Sequence, residues 1–184
     1  MPFIQTGFPG LFVFEPDVIE DSRGYFFESY NFREFQQQGL VANFLQDNQS
    51  KSSYGVIRGL HYQLPPHAQT KLVRVISGSI LDVAVDIRKG SPRFGNAFTI
   101  ELSAENKKQL YIPHGFAHGF SVLSSFAEVL YKCDAFYNKE SEGGIQYNDE
   151  SLSIDWKIPA DKSIVSNKDI NNPSFAECKN EFYY

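Results

Sequence analysis

Apolar and polar residues alternate along this chain in short bursts, and clusters of turn-forming residues separate the bursts. Leu11-Phe-Val-Phe-Glu-Pro16 predicts a strand stopped by Pro16, which has no N–H to give to a ladder. Asp21-Ser-Arg-Gly24 predicts a turn, and Tyr25-Phe-Phe-Glu-Ser-Tyr30 a second strand. Asn31 is placed to cap a short helix, with Glu34 three residues on and Gly39 at its end. From residue 54 to 135 the pattern is strand after strand. Lys71-Leu-Val-Arg-Val-Ile-Ser77 alternates, and a Gly78-Ser79 turn follows. In Ile80–Ile87, Leu81, Val83, Val85 and Ile87 share one face while Asp82 and Asp86 share the other. Phe98–Leu102, Leu110–Pro113, Phe120–Leu123 and Glu128–Lys132 continue the series. Short strands at this spacing, with Gly/Pro turns, predict a β-sandwich or barrel. Beyond residue 150 the pattern weakens: Trp156 and Ile158 read as buried, and Ile164 to Pro173 as loop.

Composition narrows the possibilities. The 184 residues suit one domain with a sizeable core, and no linker, repeat or low-complexity tract divides them. An aromatic share of 15% favours strands. The net charge of −5 provides no global attraction for nucleic acid or an anionic membrane, so a small anion would need local cations in a pocket. Two cysteines, Cys133 and Cys178, make no disulfide framework and suggest a reducing, intracellular setting. Met-Pro-Phe-Ile-Gln at the start does not read as a signal peptide, and no apolar run is long enough to span a bilayer. The expectation is a soluble, cytoplasmic protein.

The candidate chemistry lies in Val56-Ile-Arg-Gly-Leu-His-Tyr-Gln63, in Lys71, and in Ile112-Pro-His-Gly-Phe-Ala-His118. A lone strand histidine such as His61 is ordinarily a satisfied core or surface residue. Arg58 three residues before it, and Lys71 at the start of the next strand, change that reading. Three potential cations on neighbouring strands repel one another unless they face solvent or an anion, and arginine suits bidentate phosphate contact. Asp82 and Asp86 are unremarkable on a solvated face. On a barrel interior Asp82 needs a partner, and His118 is the natural one. His114 and His118 are four apart, as in a helical metal half-site, but Pro113 and Gly115 argue against helix, and no His-x-His accompanies them. A metal is therefore not expected. Tyr131 could be simple cross-strand packing. Tyr137, at the following turn, could stack on a base or sugar, and Gln46-Asp-Asn48 would ordinarily be a turn.

Taken together, these segments resemble the dTDP-4-dehydrorhamnose 3,5-epimerases, a family of cupin-type sugar-nucleotide epimerases. The matching stretches are Asp21–Tyr30, Gln46–Lys51, Val56–Gln63, Lys71–Val75, Asp82–Pro92, Leu102–Asn106, Ile112–Phe120, Glu128–Lys132, Ser141–Ile145 and Lys168-Asp169, in order over about residues 8 to 175. The resemblance implies a mainly β, cupin-like jelly-roll barrel with a few short helices. It would form one epimerase domain over 1–184, its barrel core at about residues 45–135, with N-terminal strands and a C-terminal segment packed on it. Pro113-x-Gly-x-x-His118 is similar to the second cupin metal motif, but the first is absent.

The reaction implied is inversion of C3 and C5 of a 4-keto-6-deoxyhexose on dTDP, without a cofactor. Both carbons are α to the ketone, so the chemistry needs a base, an enolate stabiliser and an acid on the opposite face. By resemblance His61 is the base, Asp169 its carboxylate partner, Tyr131 the acid and Lys71 the group near the keto oxygen. Asp82 and His118 match a second pair lining the pocket. Arg23, Glu28, Gln46, Asp47, Asn48, Arg58, Glu142 and Lys168 match substrate-binding positions, and Tyr137 the ring that stacks on thymine. The resemblance also implies a homodimer and a role in making rhamnose for surface glycans. A relative inverting only C3 or only C5, a metal-dependent cupin enzyme and a non-catalytic sugar-nucleotide binder are the other readings. Tyr147 and Phe136 depart from the aromatic residues common in the family, and His114 has no assigned role.

Overall fold

The computed structural model describes residues 2–184. In chain order its elements are β1 (Phe3–Gln5), β2 (Phe12–Phe14), β3 (Ile19–Asp21), β4 (Gly24–Phe26), helix α1 (Phe32–Gln37), β5 (Gln46–Ser53), β6 (Val56–Gln63) and β7 (Lys71–Ser77). They continue with β8 (Ser79–Asp86), β9 (Ala97–Ser103), β10 (Gln109–Ile112), β11 (Phe116–Val122), β12 (Phe126–Cys133), β13 (Glu142–Gly144), β14 (Ile164–Val165) and helix α2 (Asn167–Ile170). One antiparallel sheet runs β1-β2-β10-β7-β12-β5. The other runs β13-β6-β11-β8-β9, with β14 added in parallel to β6. Packed face to face, the sheets make a cupin-like jelly roll. No helix among the described residues is long and apolar enough to cross a membrane.

Strand β8 explains the layering. It is buried on both faces for nearly its whole length. Leu81, Val83, Val85 and Ile87 point away from the barrel and pack under the C-terminal segment, against Leu152, Trp156 and Phe182. Ile80 and Ala84 point inward to Val73, Leu110, Phe120 and Val129. Asp82, between them by alternation, is therefore held inside the barrel. On the outer face of the first sheet, α1 seats Phe35 against Phe14, Leu72 and Tyr111, with the Phe3 and Phe14 rings at 4.9 and 5.1 Å. Burying a ring of this size stabilises the fold by roughly 1.5–3 kcal/mol, enough to hold a six-residue helix that is too short to persist alone.

Local differences from the sequence expectations have physical causes. The Asn31 side chain accepts from the Arg33 N–H at 3.1 Å, and Gly39 takes φ +74°, so the helix begins and ends where its caps lie. The strand expected at Tyr25–Tyr30 shrinks to Gly24–Phe26, because its partner β3 runs out at Ile19, opposite Phe26. Gln46–Asn48 is no turn but the start of β5, an edge strand whose polar sequence reflects one solvated face and one polar inner face. The segment 164–173 contains β14 and α2, elements too short to leave a periodic signal. Trp156 is buried as expected, whereas Ile158 is half-buried.

Candidate active site

Two glycines bring β6 and β11 unusually close. A Cβ on Gly59, which has φ +127°, would sit 2.6 Å from the Gly119 Cα, and one on Gly119 would sit 2.7 Å from the Arg58 carbonyl. Between His118↔His61 and Phe120↔Arg58 the register slips by one residue. Such a slip re-aims side chains that strict alternation would send to opposite faces. Arg58 and His61, three apart, accordingly line one cavity of about 130 Å³, with Ser50, Lys71, His118, Phe120 and Tyr131.

The sequence placed Arg58, His61 and Lys71 on neighbouring strands. They are not neighbours: β6 and β7 are consecutive in the chain but belong to different sheets. Lys71 and Tyr131 enter from the β7/β12 wall, His61 and His118 from the β6/β11 wall. A partially closed space between two walls suits a small substrate with two faces to be addressed.

His61 Nε2 donates to Asp169 Oδ1 at 2.6 Å, and Asp169 Oδ2 accepts the buried Gly59 N–H at 3.2 Å. Asp169 comes from α2, where the Ser166 hydroxyl caps the Asp169 N–H at 3.1 Å. Burial opposes ionisation of this carboxyl, but the hydrogen bonds and charge of His61 and the Gly59 N–H outweigh it and hold its pKa below the usual range. An ionised Asp169 fixes the proton on Nε2 and leaves the lone pair on His61 Nδ1. Deeper in, His118 Nε2 donates to Asp82 Oδ1 at 2.7 Å, both residues being buried. Burial pushes the His118 pKa down, and nearby Lys71 and His61 add to that, so the ring is held neutral against the pull of Asp82.

Lys71 is buried, and desolvation lowers its pKa against the opposing charges of Asp82 and Glu142. Its ammonium lies 5.9 Å from the centre of the Tyr131 ring. Burial raises the Tyr131 pKa, keeping the phenol protonated at neutral pH.

A connected polar rim lies near this interior, with Glu142 close enough for its charge to act on His61 and Lys71. The Tyr137 N–H donates to Gln46 Oε1 at 3.2 Å, and the Tyr137 hydroxyl to Glu142 Oε2 at 3.3 Å. Lys168 Nζ bonds Glu142 Oε1, and Gln46 Nε2 bonds Asn48 Oδ1 at 2.9 Å. Gln46, Asn48, Tyr137, Glu142 and Lys168 thus form one patch. Asp47 does not join it: alternation turns it to the other face of β5, where it pairs with Lys132 at 3.1 Å. Arg23 and Glu28 do not join it either. Arg23 is bound to Asp21 in the exposed β3–β4 hairpin, and Glu28 to Asn31.

Three contributors escaped the sequence reading. Ser50 lines the cavity, and Ser52 accepts from Arg58 Nε at 3.0 Å. Cys133, fully buried, lies directly across from Lys71 and takes a long 3.7 Å contact from Asn48 Nδ2. The serines follow Asn48 at a period of two, so reading 46–53 as a strand would have exposed them. Among the described residues no group of three or more His, Cys, Asp or Glu side chains forms a metal-holding cluster.

A sequence profile described as dTDP-4-dehydrorhamnose 3,5-epimerase matches residues 5–177. A protein of that name from Shigella flexneri is 52% identical over 178 residues, covering 96% of this chain and 97% of its own. The crystal structure of the enzyme of that name from Elizabethkingia anophelis superposes with a TM-score of 0.94 at 55% identity, covering 98% of this chain and 99% of its own. A Legionella pneumophila dTDP-6-deoxy-D-glucose-3,5-epimerase, solved in complex with dTDP-4-keto-L-rhamnose, gives 0.91 at 45% identity, covering 96% and 93%.

Proposed function

We propose how this pocket works from the premise that the chain belongs to the dTDP-4-dehydrorhamnose 3,5-epimerase family. It is an isomerase that inverts C3 and C5 of dTDP-4-dehydro-6-deoxy-D-glucose to give dTDP-4-dehydro-β-L-rhamnose. The observation that carries the residue roles is that His61 and Tyr131 line one small cavity from opposite sheets.

His61 Nδ1 removes the proton α to the C4 ketone, and Asp169 stabilises the imidazolium that results. Lys71 meets the charge that develops on the C4 oxygen. A buried ammonium with no anion in direct contact is penalised, and the forming enolate relieves that penalty most in the transition state. Tyr131 returns a proton from the other wall, and the configuration inverts. The same pair serves both carbons as the ring is reoriented, once solvent has taken the proton from His61 and returned one to Tyr131. His118, held neutral on Asp82, supplies a fixed polar wall.

The rim takes the nucleotide. The exposed Tyr137 ring stacks on thymine, and Arg58 and Lys168 meet the pyrophosphate. Arg23 and Glu28 serve through a homodimer. The β3–β4 hairpin joins neither large sheet and exposes Ile19, Tyr25 and Phe26, which supports its use as an arm reaching a second copy.

Incubation of dTDP-4-dehydro-6-deoxy-D-glucose with the enzyme in D2O, followed by NMR, tests the reading. Deuterium at both C3 and C5 with inverted product is expected. Deuterium at one carbon would make the chain a single-site epimerase, and none a binding protein. Light scattering of the eluting protein tests the dimer. Partial activity regained on mixing Arg23→Ala and His61→Ala variants is expected if the arm crosses.

A further inference from the structure

His114 takes no part in the chemistry above. It sits on the turn between β10 and β11 with its side chain half exposed. Three strand ends meet beside it. Lys71, the first residue of β7, lies between Ile112 at the end of β10 and Cys133 at the end of β12. Asp134 follows Cys133, and one of its oxygens accepts the Thr70 N–H at 2.6 Å, one residue before Lys71. The other accepts from His114 Nε2 at 3.1 Å, and the same nitrogen stands 3.4 Å from the first.

The arrangement matters because of what Lys71 lacks. Among the described residues its ammonium has no hydrogen-bond or ion-pair partner. Its position therefore depends on how firmly the start of β7 is held. The Asp134 N–H reaches the Thr70 carbonyl at only 3.3 Å, so the short carboxylate bond to Thr70 is the tighter tie. The Thr70 side chain also bonds the carboxylate, but both of these ties come from Thr70, so the carboxylate can still turn about its last torsion. A donor on the second oxygen fixes its plane.

We propose that His114 is a positioning residue: it orients the Asp134 carboxylate that ties down Thr70, and so sets where Lys71 enters the pocket. The proposal rests on Lys71 being the enolate-stabilising group. The rival explanation is an ordinary surface ion pair, which contributes little to stability and nothing to chemistry. The two differ in what they disturb. Lys71 acts on charge present mainly in the transition state, so misplacing it lowers kcat and leaves KM nearly unchanged.

The test compares the full-length enzyme with His114→Ala and with His114→Gln, whose amide can still donate to Asp134. The readouts are kcat and KM for dTDP-4-dehydro-6-deoxy-D-glucose, C3 and C5 exchange in D2O, and Tm. His114→Ala is expected to lower kcat and both exchange rates about three- to tenfold, less than the ~10²-fold of a full 1 Å misplacement. KM should stay within about twofold, since uniform binding is untouched. His114→Gln should recover most of the rate. An unchanged kcat in His114→Ala would overturn the proposal. So would a rise in KM alone, or a loss of rate that tracks a fall in Tm and is not recovered by glutamine. Absence of exchange in the unmodified enzyme is a separate outcome, and it would sink the functional reading and this proposal with it.

Discussion

Asp169→Asn isolates the carboxylate's part in the reaction because it preserves shape and changes hydrogen-bonding character. Asp169 accepts twice, from His61 Nε2–H at 2.6 Å and from the Gly59 N–H at 3.2 Å. An asparagine has one acceptor oxygen and one donor amide. If its oxygen takes the His61 N–H, its amide faces the buried Gly59 N–H, donor against donor. Leaving that N–H unsatisfied costs about 1–3 kcal/mol. If the oxygen takes the Gly59 N–H, the amide faces His61 Nε2 and forces the proton onto Nδ1, the nitrogen proposed as the base. The second arrangement is therefore favoured, and by itself reduces the competent tautomer about 5- to 150-fold. Loss of the charge that stabilises the imidazolium adds to this. The summed loss in C3 and C5 exchange is expected at about 10²–10⁴-fold, measured by NMR in D2O. Asp169→Ala admits water, which can accept or donate, and imposes no tautomer. The near-isosteric asparagine is thus expected to be slower than the truncated alanine. An asparagine variant that exchanges faster than the alanine one, or within about threefold of the unmodified enzyme, would refute the assignment of Nδ1 as the base.

Tyr131→Phe keeps the ring on its wall and deletes the donor, so exchange should persist while inverted product falls; wild-type inversion would make Tyr131 packing only. Gly59→Ala forces a Cβ to within 2.6 Å of the Gly119 Cα at φ +127°, and should lower stability by more than about 2 kcal/mol; an unchanged denaturant midpoint would count against the close approach. Chelator treatment should leave turnover intact, because the groups assigned to the reaction are side chains; loss reversed by a divalent ion would contradict that. The depressed Asp169 pKa contributes stability present above its unfolded value of about 4 and lost as pH falls through the folded value. The Tm gap between the unmodified enzyme and Asp169→Asn should therefore be full near neutrality and narrow below about pH 4. A gap that is undiminished in acid would mean that Asp169 is not ionised in the fold.

How far such a site can be read from sequence depends on what makes each residue visible. Asp82 was legible only in part: the pattern put it on the face opposite the aliphatic one but left open whether that face is solvated or inside the barrel, and only burial of the strand on both sides settles that it meets His118, at 2.7 Å. Lys71 was legible as a residue but not as a position. Strands adjacent in the chain need not be adjacent in a sheet, and the jump from β6 to β7 carries the chain from one wall to the other. Asp169 had no local signal at all, since a four-residue helix is shorter than any period it could display; its assignment came from resemblance. Strand β5 was hidden for the opposite reason. Its Gln-Asp-Asn-Gln-Ser-Lys-Ser-Ser sequence looks like a turn because its inner face is polar too: Ser50 lines the cavity and Ser52 bonds Arg58 instead of packing in apolar core. The same cause runs through these failures. Hydrophobic periodicity reports burial against other apolar groups, and a catalytic wall is where a barrel gives up that burial for polar contact. The residues most engaged in function are then the ones the pattern describes least, and the register slip that brings Arg58 and His61 together belongs to a close approach of Gly59 and Gly119 that no apolar pattern records.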